Sequence, residues 1–392
     1  MNLYLKTLFV YRSFLVIMCS GVNCYKGGFI MLDCKEAYEL ICKAIDREVK
    51  FNELETIFGQ NKTDIKNDNE KTKKVKQEDN YIDIKRFAAN FYKAPIVNYK
   101  GYVNGRTQKI KNRYSEIIAK TLVSDDFVKE WSKLKPVRPN HFDTGHNHSE
   151  SVDINKLQIS NRKEEILAKL LFYQRGVKDL GYIFDYQTPL KAVKSDSYGK
   201  IDLLGYNSKD KCYSIIELKY RPSGSEETLL RCVLEAYTYY KLFDLNQIES
   251  AQDHNGITEL RALKDYKHTK NAELVILFDE KSCIVDDGGA ETNLMLRIVP
   301  KDASNPHYPT KTVESQQYKE CKELIDSSKH KELQTLCEEI LAQEPHLKQI
   351  RFVVLRADTD SKSSYPTNIK GWSRKLDRLY RAETLLTIPS KG

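Results

Sequence analysis

From residue 160 to 356 the apolar positions follow two periods, one helical and one of strict or near-continuous strand type. Asn161 with Glu164 three residues on is an N-cap signature, and Ile166, Leu167, Leu170 and Leu171 continue a helix that ends near Gly176. Strand-like runs follow at Tyr182–Tyr186, Lys200–Tyr206 and Tyr213–Tyr220. A second helix, Glu227 to Phe243, carries Leu230, Val233, Leu234 and Tyr237 on one face, and Ser223-Gly-Ser225 reads as the turn and N-cap before it. Leu274–Phe278 is a strand, Leu294–Val299 a further strand candidate, 314–344 a helical region and Phe352–Leu355 a late strand. Helix, three strands, helix, strand, helix, strand predicts an α/β fold with a mixed central sheet flanked by helices.

The chain before residue 158 is organised differently. Residues 1–60 form an N-terminal segment with a helix-like run at Leu32–Ile45. Residues 61–80 alternate charges and amides with almost no apolar anchors, which predicts a disordered linker. Residues 81–135 read as a small basic, Tyr-rich domain: short strands around Ala94–Arg106, a hairpin turn at Asn104-Gly105, and helices at Ser115–Lys120 and Asp125–Leu134. Residues 136–157 turn polar and read as a linker, and 158–392 as the main domain with a C-terminal helical extension.

Leu3 to Val22 is apolar but includes Lys6 and Arg12, and a spanning helix would bury both at about 2.5–3.5 kcal/mol each. Only Phe14 to Met18 is uninterrupted after Arg12, far short of the roughly 20 residues a span needs. A signal peptide, a packed N-terminal segment and translation from Met31 remain as readings, the last two together preferred to secretion.

Composition narrows the classes. The 392 residues are 40% hydrophobic and 30% charged, enough for a core and too polar for a multi-span membrane protein. Lys and Arg number 63 against 55 acids, a mild excess that permits a polyanion partner without establishing one. The nine Cys are scattered with no Cys-x-x-Cys pair, so a structural zinc site is disfavoured and a reducing, cytoplasmic setting is expected. Cys232 and Cys337 sit in apolar helical patterns, where a free Cys acts as a small hydrophobe. His141, His146 and His148 lie in a polar stretch and read as a solvated loop rather than a metal site.

Two strands hold charges where a buried strand should not. Asp202 interrupts Lys200-Ile-Asp-Leu-Leu-Gly, while Glu217 and Lys219 interrupt Tyr213-Ser-Ile-Ile-Glu-Leu-Lys-Tyr. Alternation along a strand puts Glu217 and Lys219 on one face. A hairpin turning at Asn207–Asp210 brings Asp202 beside Glu217. Two carboxylates converging in a low-dielectric place need a cation to stay ionised, and Mg²⁺ suits few oxygen ligands with several waters. Lys219 is then placed to orient and help deprotonate an attacking water. The bland reading is a Glu217–Lys219 ion pair on a solvated sheet.

Gly-x-Ile-Asp, a gap, then Ile-Ile-Glu-Leu-Lys resembles the PD-(D/E)xK nuclease superfamily, the restriction-endonuclease-like fold. The resemblance covers roughly residues 160 to 280, with a tail to 356. It implies a metal-dependent nuclease, DNA favoured, with a restriction or defence role as one context. It assigns Mg²⁺, with Mn²⁺ as substitute, to Asp202, Glu217 and the Leu218 backbone carbonyl. Lys219 matches the family lysine. Glu164 matches the glutamate that the preceding helix usually offers, with Glu165 as fallback. Glu235 with Tyr237 or Tyr239 matches the polar residue and Tyr on the following helix. The family's Pro before the Asp is Ile201 here.

Lys109, Lys111 and Arg113 lie in a basic run interleaved with Tyr92, Tyr99, Tyr102 and Tyr114, the pattern of a nucleic-acid grip, against a small Tyr-rich core with a solvated basic rim. The stretch Lys370 to Arg381 is a second basic patch with aromatics. Two other classes stay open: an inactive nucleic-acid-binding module on the same fold, and a structural or interaction protein. No membrane partner is expected, and a homodimer is allowed.

Overall fold

Long runs of β-branched and aromatic residues make the centre of a seven-stranded sheet in the computed structural model of the chain. The structure describes residue 42 and residues 88–102, 113–124, 127–137, 163–190, 198–220, 227–251, 255–284, 311–326, 331–357 and 380–391. All of them belong to one unit, Asp33–Gly392. The linker predicted at 61–80, nearly all of residues 1–60 and most of 136–157 lie outside the described residues, as do Asn161, Ser223–Ser225, the strand candidate 294–299 and all but the end of the 370–381 patch.

The strands are β1 (Gly176–Val177), β2 (Gly181–Pro189), β3 (Lys200–Asn207), β4 (Cys212–Lys219), β5 (Ala272–Asp279), β6 (Lys281–Ile284), β7 (Lys311–Glu314), β8 (Leu347–Ala357) and β9 (Tyr380–Pro389). The large sheet runs β1-β2-β3-β4-β5-β8-β9, and β6 pairs with β7 separately. Pairs β4–β5 and β5–β8 are parallel and the other neighbours antiparallel. Every residue of β5 is buried, which explains its continuous apolar run. The sheet curls into a half-barrel. Lys178 of the β1–β2 turn bridges Arg381 of β9, and the Ala382 N–H donates to the Lys178 carbonyl at 2.8 Å.

The helices are α1 (Tyr114–Ser124), α2 (Val128–Ser132), α3 (Lys163–Gln174), α4 (Leu229–Leu242), α5 (Asn246–Ser250), α6 (Asn255–Arg261), α7 (Gln316–Ile325) and α8 (Glu332–Gln343). Helix α3 lays Leu167, Leu170, Leu171 and Phe172 on one sheet face, against Ile183, Leu203, Ile216, Leu218, Val275 and Leu277. Helix α4 is buried on nearly all sides. Cys232 and Cys337 are fully buried, as small hydrophobes should be.

Four expectations need correction. Residues 88–134, expected as a small separate domain, pack into the main unit. Trp131 donates to the Thr238 hydroxyl of α4 at 3.1 Å, and Glu116 accepts from the first N–H groups of α8 at 2.7 and 3.1 Å. The short strands expected around Ala94 are two 3₁₀ turns, Phe91–Lys93 and Pro95–Asn98, because Pro95 at the first turn position fixes a helical φ. The N-cap of α4 is Thr228, which accepts from the Arg231 N–H. The C-terminal extension is strand β9, where β-branched Thr384, Thr387 and Ile388 pair with β8.

Candidate active site

The geometry starts from a turn. The Asn207 side-chain oxygen accepts from the N–H groups of Lys209 (3.1 Å) and Asp210 (3.2 Å), closing the β3–β4 connection. That turn sets a register running from Asn207↔Cys212 to Leu203↔Ile216. One step further places Asp202 across from Glu217. The two strands part there, and Asp202 fills the gap with its side chain: Oδ2 accepts from the Leu218 N–H at 3.0 Å and Oδ1 from Gln187 Nε2 at 2.8 Å. Gln187 holds a left-handed backbone (φ 52°), an unfavourable conformation for a non-glycine residue that here aims its amide at Asp202.

Lys219 sits at the centre. Its ammonium contacts Glu217 Oε1 and lies 2.9 Å from Glu227 Oε2 and 3.2 Å from Glu235 Oε2. Glu235 Oε1 accepts from the Tyr239 hydroxyl at 2.8 Å. Glu164, in the first turn of α3, accepts from the Tyr220 N–H just past the end of β4 at 2.8 Å. Arg231 pairs with Glu227 at 3.2 Å, and its Nε is buried without a hydrogen-bond partner. Glu217 Oε2 is likewise buried with no partner.

Glu217 is only 2% exposed, so the solvated-sheet reading fails. Burial pushes the Glu217 carboxyl well above the usual range, and the negative Glu235 adds to it. Burial and then Glu164 do the same to Asp202, and burial raises Glu164 itself. Burial also works against the charge on Lys219, but Glu217, Glu235, Glu164 and Glu227 outweigh it and hold the ammonium's pKa well above normal. Burial opposes charge on Glu235 as well, but Lys219 and Arg231 prevail and keep its carboxyl below the usual value. Five carboxylates face two cations, an excess of three negative charges if all ionise. Among the described residues no group of three or more His, Cys, Asp or Glu is arranged to hold a metal ion, and in this cluster the Lys219 ammonium lies among the carboxylates.

Asp202, Glu217, Leu218, Lys219, Glu164 and Glu235 are thus brought together. Glu165, the fallback, acts on Tyr186 and Lys169 instead. Tyr237 does not face the site: its hydroxyl donates to Glu344 at 2.9 Å, and Tyr239 takes the place expected of it. The i,i+4 spacing of Glu235 and Tyr239 was the available signal, since i,i+2 residues of a helix do not face each other. Arg113 is not a free phosphate contact. It is 8% exposed, forks onto Glu323 and lies 3.5 Å from Glu320. Lys109 and Lys111 lie outside the described residues.

Comparison of the chain with protein-family models, curated proteins and solved structures finds no match. The site is therefore read from its own chemistry.

Sequence reasoning passed over Gln187, Glu227 and Arg231, and did not connect Tyr92 with the site. Tyr92 is buried, and its hydroxyl lies 3.2 Å from that of Tyr239. Next to it, burial lowers the Lys93 ammonium to about 8, with Arg231 adding to the shift and Glu235 opposing it. Below pH 8 the fold bears the whole penalty of that half-buried charge, eased by the 2.9 Å bond from the ammonium to Asn90 Oδ1, and the penalty disappears as pH rises from 8 to the ordinary lysine value of 10.5. Lys93→Met is accordingly expected to raise the melting temperature at pH 7, with the gain fading across that window in a pH series. A pH-independent gain would contradict this account.

Proposed function

We propose that the chain is a Mg²⁺-dependent nuclease that hydrolyses phosphodiester bonds, DNA being the favoured substrate, on a PD-(D/E)xK or restriction-endonuclease-like core. The observation that carries this reading is the junction of Asp202 and Glu217 beside Lys219, with Glu217 Oε2 buried and unpartnered in a pocket of surplus negative charge. The order α3, β2, β3, β4, α4, β5, with β4 parallel to β5, agrees with the order expected from the resemblance.

Two carboxylates and one backbone carbonyl suit Mg²⁺ only with water filling most of its shell, since no cage of three acidic side chains is formed among the described residues. Glu217 has an unused oxygen, and the Asp202 oxygens each accept one hydrogen bond and keep a lone pair. Few protein oxygens and several waters are what this hard cation takes. Asp202, Glu217 and the Leu218 carbonyl would hold it, with Glu164 supporting from α3. When bound, the cation supplies a more acidic water and charge stabilisation at the phosphoryl oxygens. Gln187 and the Leu218 N–H fix the Asp202 carboxylate, and Tyr239 fixes Glu235. Lys219, kept protonated by its carboxylates, would turn one of its three N–H groups from a carboxylate to a phosphoryl oxygen rather than accept a proton, and the proton of the metal-acidified water would leave to solvent. That differs from the base-like part expected from sequence.

A brace built on the Lys219 ion pairs is the second reading, favoured by the direct Glu217–Lys219 contact. No helix among the described residues is long and apolar enough to cross a membrane. The test is cleavage of plasmid and single-stranded DNA by wild type and Asp202→Ala, with Mg²⁺ and with EDTA. A loss of about 10³-fold or more is expected, equivalent to about 4 kcal/mol of transition-state stabilisation. Equal cleavage by the two proteins would sink the assignment.

A further inference from the structure

We propose that Tyr92, from the N-terminal part of the chain, is a positioning residue that keeps Glu235 against Lys219 by way of Tyr239. The proposal rests on the nuclease reading above and extends it to a segment outside the core that carries the carboxylates.

The contacts form an unbroken line. Glu235 Oε2 lies 3.2 Å from the Lys219 ammonium, and Oε1 accepts from the Tyr239 hydroxyl at 2.8 Å. The Tyr239 oxygen lies 3.2 Å from the Tyr92 hydroxyl, which is 3.1 Å from the Tyr198 carbonyl. The two rings meet edge to face at 5.7 Å, and both are buried. With the Tyr239 proton on Glu235, the single Tyr92 proton points to the Tyr198 carbonyl at 3.1 Å and is shared with the Tyr239 oxygen at 3.2 Å as a three-centre bond. Removing the Tyr92 hydroxyl strips the donor from a buried Tyr239 oxygen and weakens the bond that orients Glu235.

The backbone is shaped for this line. Gly199 has φ +103°, and a Cβ there would lie 2.5 Å from the Tyr239 hydroxyl, so only glycine lets the strand that leads to Asp202 pass so close. The segment bearing Tyr92 is tied to the start of α4, the helix that carries Glu235 and Tyr239. The Thr228 hydroxyl donates to the Val97 carbonyl at 2.6 Å, and the Thr228 N–H donates to Asn98 Oδ1 at 2.8 Å. Tyr92 and Glu235 are therefore held in one frame, and the line joins residues 92, 198, 219, 235 and 239 from four parts of the chain.

The experiment compares full-length wild type with Tyr92→Phe, which keeps the ring and removes only the hydroxyl. For Mg²⁺-dependent cleavage, kcat per folded molecule is expected to fall about tenfold with KM unchanged, while the melting temperature falls modestly because the Tyr198 carbonyl and the Tyr239 oxygen lose a donor. The crystal structure of the variant is expected to show Glu235 turned from Lys219. An unchanged kcat overturns the proposal, as does a fall in kcat that vanishes when activity is counted per folded molecule well below the melting transition. Glu235 still seated on Lys219 in the variant crystal also overturns it. If wild type and variant alike cleave nothing, the nuclease reading fails, and the crystal comparison still decides whether Tyr92 positions Glu235.

Discussion

Glu217→Gln is expected to abolish Mg²⁺-dependent cleavage, by about 10³-fold or more, and yet to melt no lower than the wild type in EDTA. The two halves of this result have one cause. Glu217 is buried, one of its oxygens has no partner, and burial together with Glu235 disfavours its charge. Gln has nearly the same shape, carries no charge and offers an N–H₂ to the surrounding carboxylates. Lys219 keeps Glu227 at 2.9 Å and Glu235 at 3.2 Å, so its ammonium is not stranded. The formal excess of negative charge falls from three to two. A site selected for binding a cation is expected to give up stability for function in this way. A brace predicts the reverse: breaking a buried pair by removing one partner costs about 3–5 kcal/mol, so the variant would unfold at markedly lower temperature. Melting curves in EDTA beside a cleavage assay separate the two readings of the Glu217–Lys219 contact.

Asp202, Glu217 and Lys219 were legible because each violates its surroundings. A charge within an apolar strand has few bland explanations, strand alternation fixes its face, and the Asn207 turn fixes its register. The order of the long elements α3, β2, β3, β4, α4 and β5 could be read for the same reason, since continuous apolar strands alternate with helical periods; the short β1, α5 and α6 between them were not read. What escaped was set by partners distant in sequence. Arg113 reads as one more cation in a basic run, but Glu323, 210 residues away, buries it in an ion pair. The packing of residues 88–134 on α4 and α8 depends on contacts such as Trp131 with Thr238, 107 positions apart. Gln187 gave no signal because its role depends on a left-handed backbone that no local rule assigns to glutamine. The C-terminal strand escaped because its nearest patterned neighbour, the Lys370–Arg381 stretch, looks helical in isolation.

At the other end of β4 lies a buried polar network that is expected to carry stability instead. Arg351 of β8 grips Glu273 of β5 with two bonds, at 2.9 and 2.7 Å, and donates as well to the Asp179 carbonyl at 3.1 Å and the Thr384 hydroxyl at 3.2 Å. Glu273 is fully buried and also accepts from Ser214 at 2.7 Å, Gln349 at 2.6 Å and Asn207 at 3.3 Å. The pair therefore links the β1–β2 turn, the end of β3, and strands β4, β5, β8 and β9 across the half-barrel. Arg351→Met leaves an uncompensated buried carboxylate, and a loss of about 3–5 kcal/mol is expected in urea unfolding, read as a lower midpoint at unchanged slope. Glu273→Met with Arg351→Met removes both charges and should recover about half of that loss, because an apolar pair of similar volume replaces the ions. Recovery stops short of complete because Ser214 loses its acceptor and the Asp179 carbonyl its donor, while Asn207 and Gln349 keep Asp210 Oδ2 at 2.9 Å each. Cleavage per folded molecule should be unchanged in both variants, since the network meets β4 at Ser214 and the carboxylate site begins at Glu217. A single variant as stable as the wild type would show that Glu273 finds its hydrogen bonds without the arginine, and that the curl of the sheet is held by its apolar faces alone.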